Sequence, residues 1–119
     1  MSDKSWLVIQ YPLKSLKGSK RDHWLREKVS EYVEMVLSED ELGYVDGSDI
    51  GRSVADPNTY VLNIFCVVTQ EAVAIAQVKR VLRESRLDHT RVKIATMPEG
   101  GETYTLQYAA RKGVTDFSL

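Results

Sequence analysis

The sequence has a single cysteine, Cys66, and only two histidines, His23 and His89. A lone cysteine cannot close an internal disulfide, so the chain must be held by its core, and a reducing compartment, the cytoplasm, is expected. Neither histidine has a second His or Cys at ligand spacing, so both are read as surface residues and no metal site is assigned. No apolar run approaches the roughly 20 residues of a membrane-spanning helix. The opening MSDKSWLVIQYPL has a short apolar run with a polar sequel, and reads as a first strand rather than a signal peptide. With 16 Lys and Arg against 17 Asp and Glu, the net charge of −1 exerts no global pull toward nucleic acid or a membrane. Phosphate loops are missing too: Gly47-Ser48-Asp49-Ile50-Gly51 is neither GxGxxG nor a P-loop, and its aspartates would repel phosphate. Nothing resembles GxSxG, so no catalytic residue and no cofactor is assigned.

What is present suits one domain. Apolar residues make up 43% of 119 positions, enough to bury a core without staples. Residues 6–13, WLVIQYPL, are bulky and β-branched and stop at a proline, as a strand does. Over 20–37 the apolar positions Leu25, Val29, Tyr32, Val33 and Val36 recur at three- and four-residue steps, which predicts a helix capped by Ser19 or Asp22. Residues 43–51 read as a short strand or bulged edge. Asp46-Gly47 is a favoured turn pair, and glycines at 43, 47 and 51 suggest positive φ or close packing. Asp56-Pro57-Asn58 is a stronger turn, and the nearly continuous apolar run 60–68 after it is read as the central strand. Thr69 is the expected cap of a second helix reaching about Ser85. Residues 90–97 alternate as a half-exposed strand, and 102–108 return from a turn at 98–101. The tail 109–119 is either mobile or docked through Val114, Phe117 and Leu119. The order βαββαβ plus one strand predicts a ferredoxin-like α+β sandwich, an antiparallel sheet with two helices on one face.

Charge is concentrated in two places. Glu39, Asp40, Glu41, Asp46 and Asp49, with Asp56 nearby, form the acidic concentration. It is open to three readings: a solvated loop bonding its own amides, a docking face for a basic partner, or an acid/base or divalent-ion site without EF-hand ligand order. The stretch 14–21, with Lys14, Lys17, Lys20 and Arg21, is a solvated helix entry or an anion site. RNA binding is disfavoured, since YVLNIFCVV is not an RNP pattern and holds no basic residue. Cys66 lies in that apolar strand and is expected to be a buried structural thiol. Trp24, at the edge of the first helix's apolar stripe, is either a rim residue of the core or an exposed aromatic anchor, and packing into the rim is the preferred reading.

The pattern G-x-x-D-G-x-x-I-G over 43–51, followed by an apolar strand carrying Asn63 and a capped helix, resembles small bacterial ferredoxin-like proteins with a DGxxxG turn. The resemblance spans 42–82; the insert 52–58 and the hairpin after Met97 depart from it. Some domains of this look act as immunity proteins, so the resemblance implies a non-enzymatic binding module that covers the active site of a cognate toxin. Glu39, Asp40, Glu41, Asp46 and Asp49 would supply the contacts. The alternative is a regulatory module that senses a small molecule near the 43–51 turn. A homodimer is also open, with the strand bearing Tyr104, Leu106 and Tyr108 as its candidate edge.

Overall fold

The computed structural model describes residues 4–119; Met1 to Asp3, part of the stretch weighed as a leader, lie outside the described residues. In chain order the elements are β1 (Ser5–Leu13), α1 (Lys20–Glu39), β2 (Gly43–Arg52), β3 (Tyr60–Val68), α2 (Glu71–Glu84), β4 (Lys93–Pro98) and β5 (Thr105–Ala109). The sheet runs β2-β3-β1-β4-β5 and every neighbouring pair is antiparallel. This is the ferredoxin-like arrangement with a fifth strand added beside β4. β1 therefore occupies the centre and β3 is an interior strand next to it, which corrects the expectation that 60–68 is central.

Strand alternation divides the sheet into two faces. Leu7, Ile9 and Tyr11 of β1, Leu62, Ile64 and Cys66 of β3, and Ile94 of β4 pack against the stripe Leu25, Val29, Val33 of α1 and Ala74, Val78, Leu82 of α2. Each such aliphatic side chain, fully buried, contributes about 1.5–3 kcal/mol relative to exposure, so this layer dominates stability. Val8, Val61, Val67 and Ala95 face the other way and are buried as well. Burial on both faces explains why β1 and β3 read as apolar runs rather than alternating strands.

The helix ends follow local chemistry in one case and tertiary demand in the other. Ser19 Oγ accepts from the Asp22 amide at 3.1 Å, while the Ser19 amide donates to Asp22 Oδ2 at 2.7 Å, so the expected cap is a reciprocal box. Thr69 does not cap α2. Gln70 occupies that position at φ 49 without a side-chain bond, and the Thr69 hydroxyl donates instead to Leu42 O. The loop–sheet junction has taken the hydroxyl the helix would have used.

The Asp46-Gly47 pair is not a turn. β2 runs through it with a bulge between Val45 and Gly47, so 43–51 is continuous edge strand. Of its three glycines only Gly43 is constrained: φ is +151°, and a Cβ there would collide with the Val67 carbonyl. Gly47 and Gly51 have ordinary φ and open space beside them. The turn at 56–58 is as expected, with Asp56 Oδ1 accepting from the Asn58 amide and Oδ2 from the Thr59 hydroxyl, bonds that lower the Asp56 pKa. β5 begins three residues later than the sequence suggests, and Tyr104 lies outside it. The tail is docked: Phe117, Ser118 and Leu119 are half-buried against the face that carries no helix.

Candidate functional site

The topology sorts charge to opposite ends of the sandwich. One end collects the start of β1, the end of α1, the start of α2 and the β4–β5 connection. Glu39, Asp40 and Glu41 lie there, all exposed, and the fold brings Glu71, Glu99 and Glu102 to the same end from elements far apart in sequence. Sequence reasoning missed those three. Only the strand order could have placed them, since none belongs to an acidic run.

The acidic run stands where the helix favours it least. α1 has no basic residue in its last turn, and Glu39, Asp40 and Glu41 follow on one another at its C-terminal end. Unpaired carbonyls there carry partial negative charge, which at exposed ends favours a cation over an anion by typically about 0.3–1 kcal/mol per charge. Glu41 is also held at φ 55, its amide donating to Ser38 O. Glu71 differs: it opens α2, where an anion is favoured, and accepts from the Ser5 hydroxyl at 3.0 Å and the Thr96 hydroxyl at 2.7 Å. It is an anchor that adds charge to this end.

Asp46 and Asp49 are not part of that end surface. Asp46 is the exposed extra residue of the β2 bulge. Glu34 reaches the same edge and accepts from the Val45 amide at 2.7 Å, closing part of the free strand to pairing. Burial first, then the Glu34 and Asp46 charges, push the Cys66 thiol up to about 12, so it is inert, as its apolar strand suggests. Asp49 faces away from the helices and accepts from Asn63 Nδ2 at 3.1 Å. The five acidic candidates thus separate into an end cluster of three, an edge residue, and a residue bonded within the sheet.

The opposite end is basic. Lys14, Lys17, Lys20 and Arg21 from the β1–α1 connection meet Arg86 and Arg91 from the α2–β4 connection. Asp88 sits between two of them, 2.9 Å from Arg21 and 2.7 Å from Arg91. Burial would raise its pKa, but the hydrogen bonds and charges of the two guanidinium groups outweigh it and hold the carboxyl below its usual value. Trp24 is 39% exposed, with the Arg21 guanidinium 4.3 Å from its ring centroid, which corrects the expectation of core packing. Between the helices lies an open groove of about 480 Å³ lined by Tyr32, Met35, Val36, Glu39, Arg80, Val81 and Ser85. Among the described residues no group of three or more His, Cys, Asp or Glu is placed to hold a metal ion, and no helix is long and apolar enough to cross a membrane. No family model, curated protein or solved structure matches the chain.

Proposed function

We propose that the chain is a non-enzymatic protein-binding module, and more narrowly a bacterial immunity protein that neutralises a cognate toxin by covering its active site. The observation that carries this reading is the acidic run Glu39, Asp40 and Glu41 on the negative end of α1. Folding alone favours Lys or Arg there, and departures from local rules concentrate at functional surfaces. The same end gathers Glu71, Glu99 and Glu102, with Lys4 among them, giving a predominantly acidic surface suited to a basic partner, where charge complementarity speeds association and selects the partner. The resemblance of 42–82 to small bacterial domains that include immunity proteins supports the narrower form. Action in the cytoplasm and absence of a cofactor belong to the same proposal.

The test is a pull-down from lysate of the native organism with the parent chain and with a Glu39→Lys/Asp40→Lys/Glu41→Lys variant in parallel. A stoichiometric basic partner retained by the parent and lost by the variant is the expected outcome. Equal retention by both would move the interface elsewhere. The alternative is a regulatory module that senses a small molecule beside residues 43–51, which here form the bulged edge strand β2; a thermal-shift screen against metabolites and divalent ions, with a ligand-specific stabilisation, would favour it.

A further inference from the structure

At the basic end the sheet runs out around a cavity that neither reading above uses. The ladder between β4 and β5 continues one step past the strands, the Ala110 amide donating to Val92 O at 3.0 Å. Lys93 is opposite Ala109, so the positions beyond bring Arg91 and Arg111 next to each other. β1 ends beside them at Pro12, since Gln10 is opposite Lys93. Arg91, Lys93 and Arg111 all line one cavity of about 220 Å³, whose remaining lining, Pro12, Val92, Ala109 and Val114, is apolar. Like charges opposite one another on neighbouring strands are destabilising, so the sheet gains nothing from gathering three cations here.

Two of the three are held in place by neutral groups. Arg91 Nη1 donates to Pro12 O and Lys93 Nζ to the Asp116 carbonyl, both at 3.2 Å. Such bonds fix the position of a charge without cancelling it. The carboxylate bonded to this group is Asp88, 2.7 Å from Arg91 Nη2, and Arg21 already shares it. Arg111 is exposed and, among the described residues, its side chain has no hydrogen bond or ion pair. A lysine has three N–H donors, of which Lys93 uses one, and an arginine has five, of which Arg111 uses none. No carboxylate lines the cavity, so the excess of positive charge and of free donors faces into it.

We propose that this cavity binds a small phosphate monoester, its phosphoryl group held by Arg91, Lys93 and Arg111 and its organic part against Val92, Ala109 and Val114. Near pH 7 such a group carries a charge of about −1.5 to −2 and three strong acceptor oxygens, which matches several cations better than the single charge of a carboxylate. The planar fork of a guanidinium meets two of those oxygens at once. At about 220 Å³ the cavity is below the roughly 300–1,000 Å³ of sites for drug-sized ligands, so a compact ester fits it. The site is at the opposite end of the sandwich from Glu39, Asp40 and Glu41 and does not depend on that end binding a toxin.

The experiment titrates phenyl phosphate into the nitrogen-15-labelled full chain at pH 7, with ionic strength held constant by sodium chloride, and follows the amide shifts. Saturable shifts at Val92, Lys93 and Arg111 are expected. Arg111→Gln should weaken binding about tenfold or more, because it removes charged donors from the ligand. Lys17→Gln removes the same charge from the same end outside the cavity, and should change affinity by less than about twofold. Benzoate, an aromatic anion with one charge, should bind about tenfold more weakly than phenyl phosphate. Shifts that stay linear in ligand, an Arg111→Gln variant that is folded by its spectrum and binds as the parent does, or an equal loss in Lys17→Gln would each overturn the site. Benzoate bound as tightly as phenyl phosphate would overturn the assignment to a phosphate ester.

Discussion

Replacing each of the three glycines of β2 by alanine should separate one structural requirement from two permissive positions. Gly43 is at φ +151°, and an added Cβ would run into the Val67 carbonyl and close on Val68 Cα, both backbone atoms of the interior strand β3. A non-glycine residue held in that region costs about 1–3 kcal/mol, and forcing an atom into packed surroundings costs about 1–3 kcal/mol more. Gly43→Ala should therefore destabilise by about 2–6 kcal/mol. Gly47 and Gly51 have ordinary φ, and a Cβ at either meets nothing within 4 Å. There alanine removes the entropy penalty of glycine in a strand and should stabilise by about 0.5–1 kcal/mol. Unfolding entropy of about 2.1 cal/mol/K per residue converts each kcal/mol into about 4 °C of Tm for a chain of 119 residues. Thermal melts followed by far-UV circular dichroism should thus show Gly43→Ala lower by about 8 °C or more and the other two raised by about 2–4 °C. Similar shifts for all three, or a neutral Gly43→Ala, would refute the register of β2 on β3.

Tyr11 is fully buried and its hydroxyl donates to Leu87 O at 2.7 Å. Tyr11→Phe keeps the shape and leaves that carbonyl without its donor, so urea denaturation should show a loss of about 1–3 kcal/mol with an unchanged m value. Asp88→Asn retains a residue tolerant of the φ of 51° found there and removes the charge shared by Arg21 and Arg91. Because the folded carboxyl titrates below its usual value, its contribution is present above about pH 4 and is lost as pH falls through the folded value. The variant should be less stable than the parent by about 1 kcal/mol at pH 7, with the two curves converging under acid. Cys66 should resist a disulfide reagent at pH 8 in the native chain and react at the rate of global unfolding, whereas fast native labelling would contradict its burial.

The fold was legible because its signals are local. The three- and four-residue spacing of Leu25, Val29 and Val33, the Ser19 cap and the Asp56-Pro57-Asn58 turn each act within a few residues of chain, and each appears where the sequence places it. Thr69 as a cap and Asp46-Gly47 as a turn fail because non-local partners decide them: Leu42 O takes the threonine hydroxyl, and pairing with β3 carries the strand through the Asp-Gly pair as a bulge, in keeping with the bulged edge that 43–51 also reads as. The acidic run was visible, and so was its place at the end of the helix read over 20–37, but not that Glu71, Glu99 and Glu102 join it. Asn63 stood out as a polar break in an apolar strand. Its meaning needed the register that aligns it with Gln10 and Asp49.

The central claim is that the acidic end of the sandwich is a binding surface. Its most direct test is quantitative capture from native lysate by three baits: the parent, the Glu39→Lys/Asp40→Lys/Glu41→Lys variant, and a Lys14→Glu/Lys17→Glu/Lys20→Glu variant that reverses the opposite end. The account expects one basic partner, held at equal yield by the parent and the basic-end variant, released as salt is raised, and missing from the acidic-end variant. A partner lost only when the basic end is reversed, or held equally by all three, would contradict it.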